Sequence, residues 1–167
     1  MKDERIHAFL GQDHERLDAL LAEASESGGA VDSAGFKAFR GGLLRHIGME
    51  EKFLFPSSPR LGGGGELPVV RQLRLDHCAL VALLIPTPTP GGIGRIRALL
   101  AAHNPLEEEP GGFYDACDQL APEDREGLLK RLKDAPELPL APHFDGGRAF
   151  ENIDRLLREA GREDLID

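Results

Sequence analysis

Six histidines are spread through this 167-residue chain. Four of them recur at positions where a helix would normally bury leucine. Residues three and four apart share one helix face, and the first such stripe reads Leu10, His14, Leu17, Leu21 and Ala24. The second reads Phe36, Phe39, Leu43, His46, Glu50 and Phe53. The third is Val70, Leu73, His77, Leu80 and Leu84, and the fourth is Ile96, Leu100, His103 and Glu107. Each stripe carries one histidine, and two add a glutamate four residues later. Positions i and i+4 lie about 6 Å apart along the axis on one side of a helix, so each His-x-x-x-Glu pair aims two donors at one point. Burying an ionised carboxylate costs several kcal/mol unless it is paired or bound to a metal. Neutral imidazoles and carboxylates around a cation remove that penalty together. His14, His46, Glu50, His77, His103 and Glu107 are therefore candidate metal ligands, with Glu108 the alternative to Glu107.

An internal repeat sharpens the metal reading. Asp13-His14-x-x-Leu17-x-Ala19-Leu20-Leu21 matches Asp76-His77-x-x-Leu80-x-Ala82-Leu83-Leu84. His46-x-x-x-Glu50-Glu51 matches His103-x-x-x-Glu107-Glu108. Two related helical hairpins would each supply two histidines and one glutamate, a pseudo-twofold donation that suits two ions bridged by carboxylates. Such a set leaves each ion with open positions where water, O2 or NO could bind.

The elements that must position these residues are punctuated by Gly and Pro. Interruptions fall at Ser27-Gly28-Gly29, from Pro56 to Gly65, and at Pro86-Thr87-Pro88-Thr89-Pro90-Gly91-Gly92. Between them lie four helical segments: about Asp3 to Ser25, Asp32-Ser33 to a stop at Pro56, Pro68 to before Pro86, and onward from Gly92. Pro105, between His103 and Glu107, predicts a kink, with Asn104 capping a new segment. The fold class is all-α: an antiparallel up-down-up-down four-helix bundle over residues 1–120. Residues 121–167 form a helical extension packed on it, with short helices from Pro122 to about Lys133 and around Phe150, Ile153 and Leu157. About 45 residues can hardly bury a core of their own.

At this point the chain resembles the hemerythrin-like, HHE cation-binding family over about residues 7 to 120. The resemblance rests on Asp13-His14, on His46-Ile47-Gly48-Met49-Glu50-Glu51-Lys52-Phe53-Leu54-Phe55-Pro56, on Asp76-His77 and on His103-Asn104-Pro105-Leu106-Glu107-Glu108. It implies a non-haem di-iron centre inside a four-helix bundle, with the six residues above as ligands and Glu50 and Glu107 as bridges. Oxygen-carrying hemerythrins have His-x-x-x-His on the third helix, where this chain has Leu73, and His-x-x-x-x-Asp on the fourth. The four-His, two-Glu set is similar instead to the iron-sensing and nitrosative-stress-repair branches.

Composition bounds the function classes. Twenty Lys and Arg against 29 Asp and Glu give a net charge of -9, which excludes a general phosphate-backbone binder and leaves no nucleic-acid partner expected. No apolar run approaches the roughly 18 residues of a membrane helix, and Met-Lys-Asp-Glu-Arg is not the start of a signal peptide. Two cysteines suit a reducing, cytoplasmic setting. The remaining candidates read as bystanders: His7 as an end-of-bundle histidine, His143 as a loop residue, Cys78 as small and buried, and Tyr114 without an assigned role. Asp13 and Asp76 read as helix-surface residues, and Glu51, Glu108 and Glu109 as solvated charges. The expected function is binding or sensing of O2, NO or iron by two iron ions, with manganese or zinc as alternatives. The first competing reading is a di-iron enzyme acting on peroxide, O2 or NO, or an iron donor in stress repair. The second is a metal-free helical interaction module. A protein partner is not identified.

Overall fold

A computed structural model describes residues 4–25, 31–61 and 64–167. The expected interruption at Ser27-Gly28-Gly29 lies outside them, as do the start of the first helix near Asp3 and two residues of the Pro56–Gly65 interruption. Among the described residues every regular element is helical. No described helix is long and apolar enough to cross a membrane.

Helix α1 (Ile6–Ser25) buries Ile6, Leu10, His14, Leu17, Leu21 and Ala24, the stripe expected from its 3-4 spacing plus one residue at its start. Its opening N–H groups are satisfied from far along the chain: Ile6 N donates to Asp118 Oδ1 at 2.7 Å, and His7 N to Asp118 Oδ2 at 3.2 Å. Helix α2 (Ser33–Met49) is capped locally, Asp32 Oδ1 accepting from Ala34 N at 3.1 Å.

The expected stop at Pro56 is corrected. The run continues through a π turn (Glu50–Leu54) and a 3-10 turn (Phe55–Ser57) into the short α3 (Ser58–Leu61). Phe55 N reaches back five residues to the Glu50 carbonyl, and Pro56 then sits in the first turn of the 3-10 segment, where its missing N–H leaves no bond broken. The wider turn also rotates the stripe. Leu54 and Phe55 are buried, whereas Phe53, expected in the core, is only partly buried and lies under the Arg131 guanidinium.

Helix α4 (Pro68–Leu83) opens on a proline at a position that needs no donor. Helix α5 (Pro90–Glu108) opens two residues before Gly92, with Thr89 Oγ1 accepting from Gly92 N at 3.0 Å. It runs unbroken through Pro105, which corrects the expected division there. Leu99 is fully buried and Leu100, expected on the stripe, only partly so. A tight reversal follows. Gly111 has φ of 81°, and a Cβ on Gly112 would lie 2.8 Å from the carbonyl oxygens of Glu107 and Glu109. This folds α6 (Phe113–Cys117), five residues too short to read from periodicity, back onto α1 and α5. Helices α7 (Pro122–Lys133) and α8 (Gly147–Glu159) complete the chain.

Helix α1 packs along α2 and against α5 and α6, α4 along α5 and α8, and α7 against the π turn. The core has two apolar clusters. One gathers Leu17, Leu21, Phe36, Phe39, Leu43, Leu80, Ile96, Ile153 and Leu157; the other gathers Ile6, Leu10, Met49, Leu54, Leu73, Phe113, Tyr114, Leu128 and Leu132. Along α1 the clusters meet at His14, and along α4 at His77, so a polar layer separates them. Two apolar assignments are corrected at the surface: Cys78, one residue past His77, is exposed, and so is Phe150, whose neighbour Ala149 is buried instead.

Candidate metal centre

All six residues singled out by their spacing meet in that layer. His46, Glu50, His77, His103 and Glu107 are at most 2% exposed, and His14 is 8% exposed. They form two groups of four, His14–His46–Glu50–Glu107 and Glu50–His77–His103–Glu107, in each of which the donor atoms lie within 4.8 Å of one another. Both glutamates belong to both groups, and each turns one oxygen to either side. Glu50 Oε1 is 3.3 Å from His46 Nε2, and its Oε2 is 3.0 Å from His77 Nε2. Glu107 Oε2 is 3.3 Å from His14 Nε2, and its Oε1 is 3.0 Å from His103 Nε2. Glu107 therefore faces the group, and Glu108 does not.

The outer nitrogens correct the readings of the neighbouring acids. His46 Nδ1 is 2.8 Å from Asp13 Oδ2, and His103 Nδ1 is 3.1 Å from Asp76 Oδ2. His77 Nδ1 is 2.8 Å from Glu51 Oε1, and His14 Nδ1 bonds Glu108 Oε1. The expected surface residues Asp13 and Asp76 and the expected solvated charges Glu51 and Glu108 thus each hold a histidine on a neighbouring helix. A side chain one residue from the stripe is turned by about 100°, which in a packed helix aims it at the adjacent helix. The repeat carried the missing signal, because Asp-His and Glu-Glu both occur twice at equivalent places. Asp76 is fully buried and is further gripped by Arg162, whose Nε and Nη2 donate to its two oxygens at 3.0 Å each. Glu109 is exposed.

Tyr114 is the residue that spacing missed. It is fully buried on α6, and its hydroxyl donates toward Glu50 Oε1 at 2.5 Å and lies 2.9 Å from Glu107 Oε2. The same oxygen is 3.2 Å from His46 Nε2 and 3.3 Å from His14 Nε2. The phenol thus stands among the four donors of one group only. In the other group Phe55 stacks on His77, with ring centroids 5.4 Å apart. There Glu50 Oε2, His77 Nε2 and Glu107 Oε1 are buried at ion-pair distance from their neighbours but in no well-directed hydrogen bond.

The ionisation equilibria follow this geometry. Burial works against a charged His14, but hydrogen bonds to Glu107 and Glu108 overcome it and hold the imidazolium up to about 10. His77 behaves alike, desolvation being outweighed by Glu50 and Glu51, at about 9. His103, between Glu107 and Asp76, stands at about 10, and His46 is also raised. Burial would raise Glu50, yet His46 and His77 hold it well below the ordinary carboxylate range. Burial and the two glutamates push the Tyr114 hydroxyl well up, so it remains a phenol.

The remaining histidines lie apart. His7 Nδ1 is bonded to Asp115 Oδ1 at 2.7 Å, and His143 Nδ1 is 3.2 Å from the Ile85 carbonyl. His7, Asp115 and Asp118 also lie close enough to share an ion, but Asp118 is occupied in capping α1. Searches against family models, curated proteins and solved structures gave no match to this chain.

These three buried atoms without a well-directed hydrogen bond, a nitrogen and two carboxylate oxygens, are the donor set a first-row divalent cation takes. The residues present therefore fit a metal ion. Each outer carboxylate, by accepting from Nδ1–H, leaves Nε2 as the nitrogen that would give up its proton to an ion.

Proposed function

We propose that this chain is a hemerythrin-like protein whose four-helix bundle, built from α1, α2, α4 and α5, holds two non-haem iron ions and binds or senses O2, NO or iron. The observation that carries the reading is the pair of buried four-donor groups sharing both glutamates. His14 and His46 would hold one ion, and His77 and His103 the other. Glu50 and Glu107, which belong to both groups, would be shared between the two ions. The mixed imidazole and carboxylate set suits iron, with manganese and zinc as competing occupants. When bound, the metal pair supplies open positions and a change of redox state to a small diatomic or oxygen-derived ligand.

The protein's own contribution is to hold the donors and exclude bulk water. Asp13, Asp76, Glu51 and Glu108 orient the four imidazoles. The two apolar clusters seal the layer from either side. The free cysteines Cys78 and Cys117 support a reducing, cytoplasmic setting.

Metal analysis of protein purified with iron supplied tests the proposal, read beside the visible spectrum with and without O2 and NO. Two iron ions per chain and charge-transfer bands that respond to these ligands are expected, and both should be lost in His46→Ala and His77→Ala. Protein without metal, unchanged by either substitution, would overturn the reading.

A further inference from the structure

Tyr114 stands outside the internal repeat and is the one tyrosine of the chain. Its helix is tied in place. Gly111 turns the chain at a φ of 81°, and its N–H donates to Asp115 Oδ2 at 2.9 Å. Asp115 Oδ1 is 2.7 Å from His7 Nδ1, and Asp118 caps α1. Both acids thus fasten α6 to α1 and fix where the tyrosine enters the polar layer.

A phenol that only satisfied a buried carboxylate would need one acceptor for its one O–H. The Tyr114 oxygen instead lies 2.5 Å from Glu50 Oε1, 2.9 Å from Glu107 Oε2, 3.2 Å from His46 Nε2 and 3.3 Å from His14 Nε2. Within that group His46 Nε2 is 3.3 Å from Glu50 Oε1, and His14 Nε2 is 3.3 Å from Glu107 Oε2. An ion with bonds of about 2.0–2.2 Å at right angles spaces adjacent ligand atoms roughly 3 Å apart. The phenol oxygen is adjacent to all four other atoms, as an apical ligand is to a basal four. The second group has no such oxygen, and Phe55 stacks on its His77 instead. We propose that Tyr114 is the fifth ligand of the ion held by His14, His46, Glu50 and Glu107, bound through its oxygen as a phenolate. The assignment rests on the metal reading above. On binding, the O–H bond breaks, a metal–oxygen bond forms, and the proton leaves to solvent. A bound cation drives this exchange as it does for a coordinating thiol or water. The two ions are then unequal, and the one beside His77 and His103 has one protein ligand fewer.

With one tyrosine in the chain, any tyrosinate signal comes from Tyr114. The test loads the full chain with ferrous iron, oxidises it with ferricyanide, removes the excess by desalting and counts the bound iron. A phenolate-to-iron charge-transfer band in the visible is expected. Resonance Raman excitation within that band should enhance the ring vibrations of a tyrosinate, which a phenol merely hydrogen-bonded beside the ions does not give. Tyr114→Phe keeps the ring and should lose the band and the vibrations completely while still binding iron. Iron bound by the unaltered chain without tyrosinate vibrations overturns the assignment, whatever the variant does, and leaves the metal reading standing. Failure of the unaltered chain to take up iron overturns both.

Discussion

Each buried histidine stands between two carboxylates, one at either ring nitrogen; in the metal-free protein this makes His14, His77 and His103 imidazolium ions at neutral pH and shifts His46 in the same direction. Two divalent cations carry the charge of four protons, so loading would exchange metal for protons with little change in the net charge of the layer. Metal uptake at pH 7 should therefore release at least three protons per chain, and affinity should climb as pH rises towards 9 or 10. Titration with metal in weakly buffered indicator solution measures both. Raised histidine values contribute stability that is complete below their ordinary 6.5 and declines as pH passes 9 to 10. The metal-free protein should melt lower at pH 9.5 than at 6.5, and the loaded protein should not follow it. Tyr114→Phe deprives Glu50 and Glu107 of their phenol partner and should destabilise the metal-free form by about 1–3 kcal/mol in denaturant melts, leaving the metal count unchanged. The six inward residues were legible because a histidine or glutamate on an apolar stripe stands out. Asp13, Asp76, Glu51 and Glu108 were not, since a residue 100° off the stripe reads alike whether it meets water or a neighbouring helix.

Helix beginnings were legible where a side chain supplied an acceptor or a proline waived a donor at Asp32, Pro68 and Pro122, which start α2, α4 and α7, but Thr89 and Pro90 start α5 two residues before the expected Gly92. As stops, Pro56 and Pro105 misled, although α4 does end before Pro86. A proline forbids only its own N–H bond and crowds the preceding turn, and the π turn at Glu50–Leu54 absorbs both at Pro56. That turn begins on a glutamate of the site, a common place for π geometry. At Pro105 the helix instead forgoes one bond to Ala101 and continues for three more residues. Pro105→Ala should restore that bond and raise stability by about 1–3 kcal/mol, readable as a shift of the denaturation midpoint at constant slope. If α5 needs the irregularity to align His103 with Glu107, metal content will fall in the same variant. Unbroken helical geometry at both residues predicts that it will not.

Over the whole molecule, the extension is joined to both apolar clusters: Leu128 and Leu132 enter one, Ile153 and Leu157 the other. It also reaches the polar layer, because Arg162 grips Asp76, which in turn holds His103. Arg162→Leu should weaken metal affinity about tenfold in chelator competition, the low end for a partner that orients a ligand, while the helical spectrum stays unchanged. The sequence showed that these residues could not stand alone; only the fold shows that they touch the site. The layer also orders events in time. Ile6 and Leu10 share a cluster with Phe113, Tyr114 and Leu132, and the first glutamate waits for a phenol 64 residues later. On the ribosome, α1 and α2 emerge long before α5, α6 and Arg162, so a half-made chain presents two histidines and one glutamate to solvent with nothing to close over them. On the proposed function, capture of an ion would then be the closing act of folding, and a truncated product would be left without a cage in which to keep one.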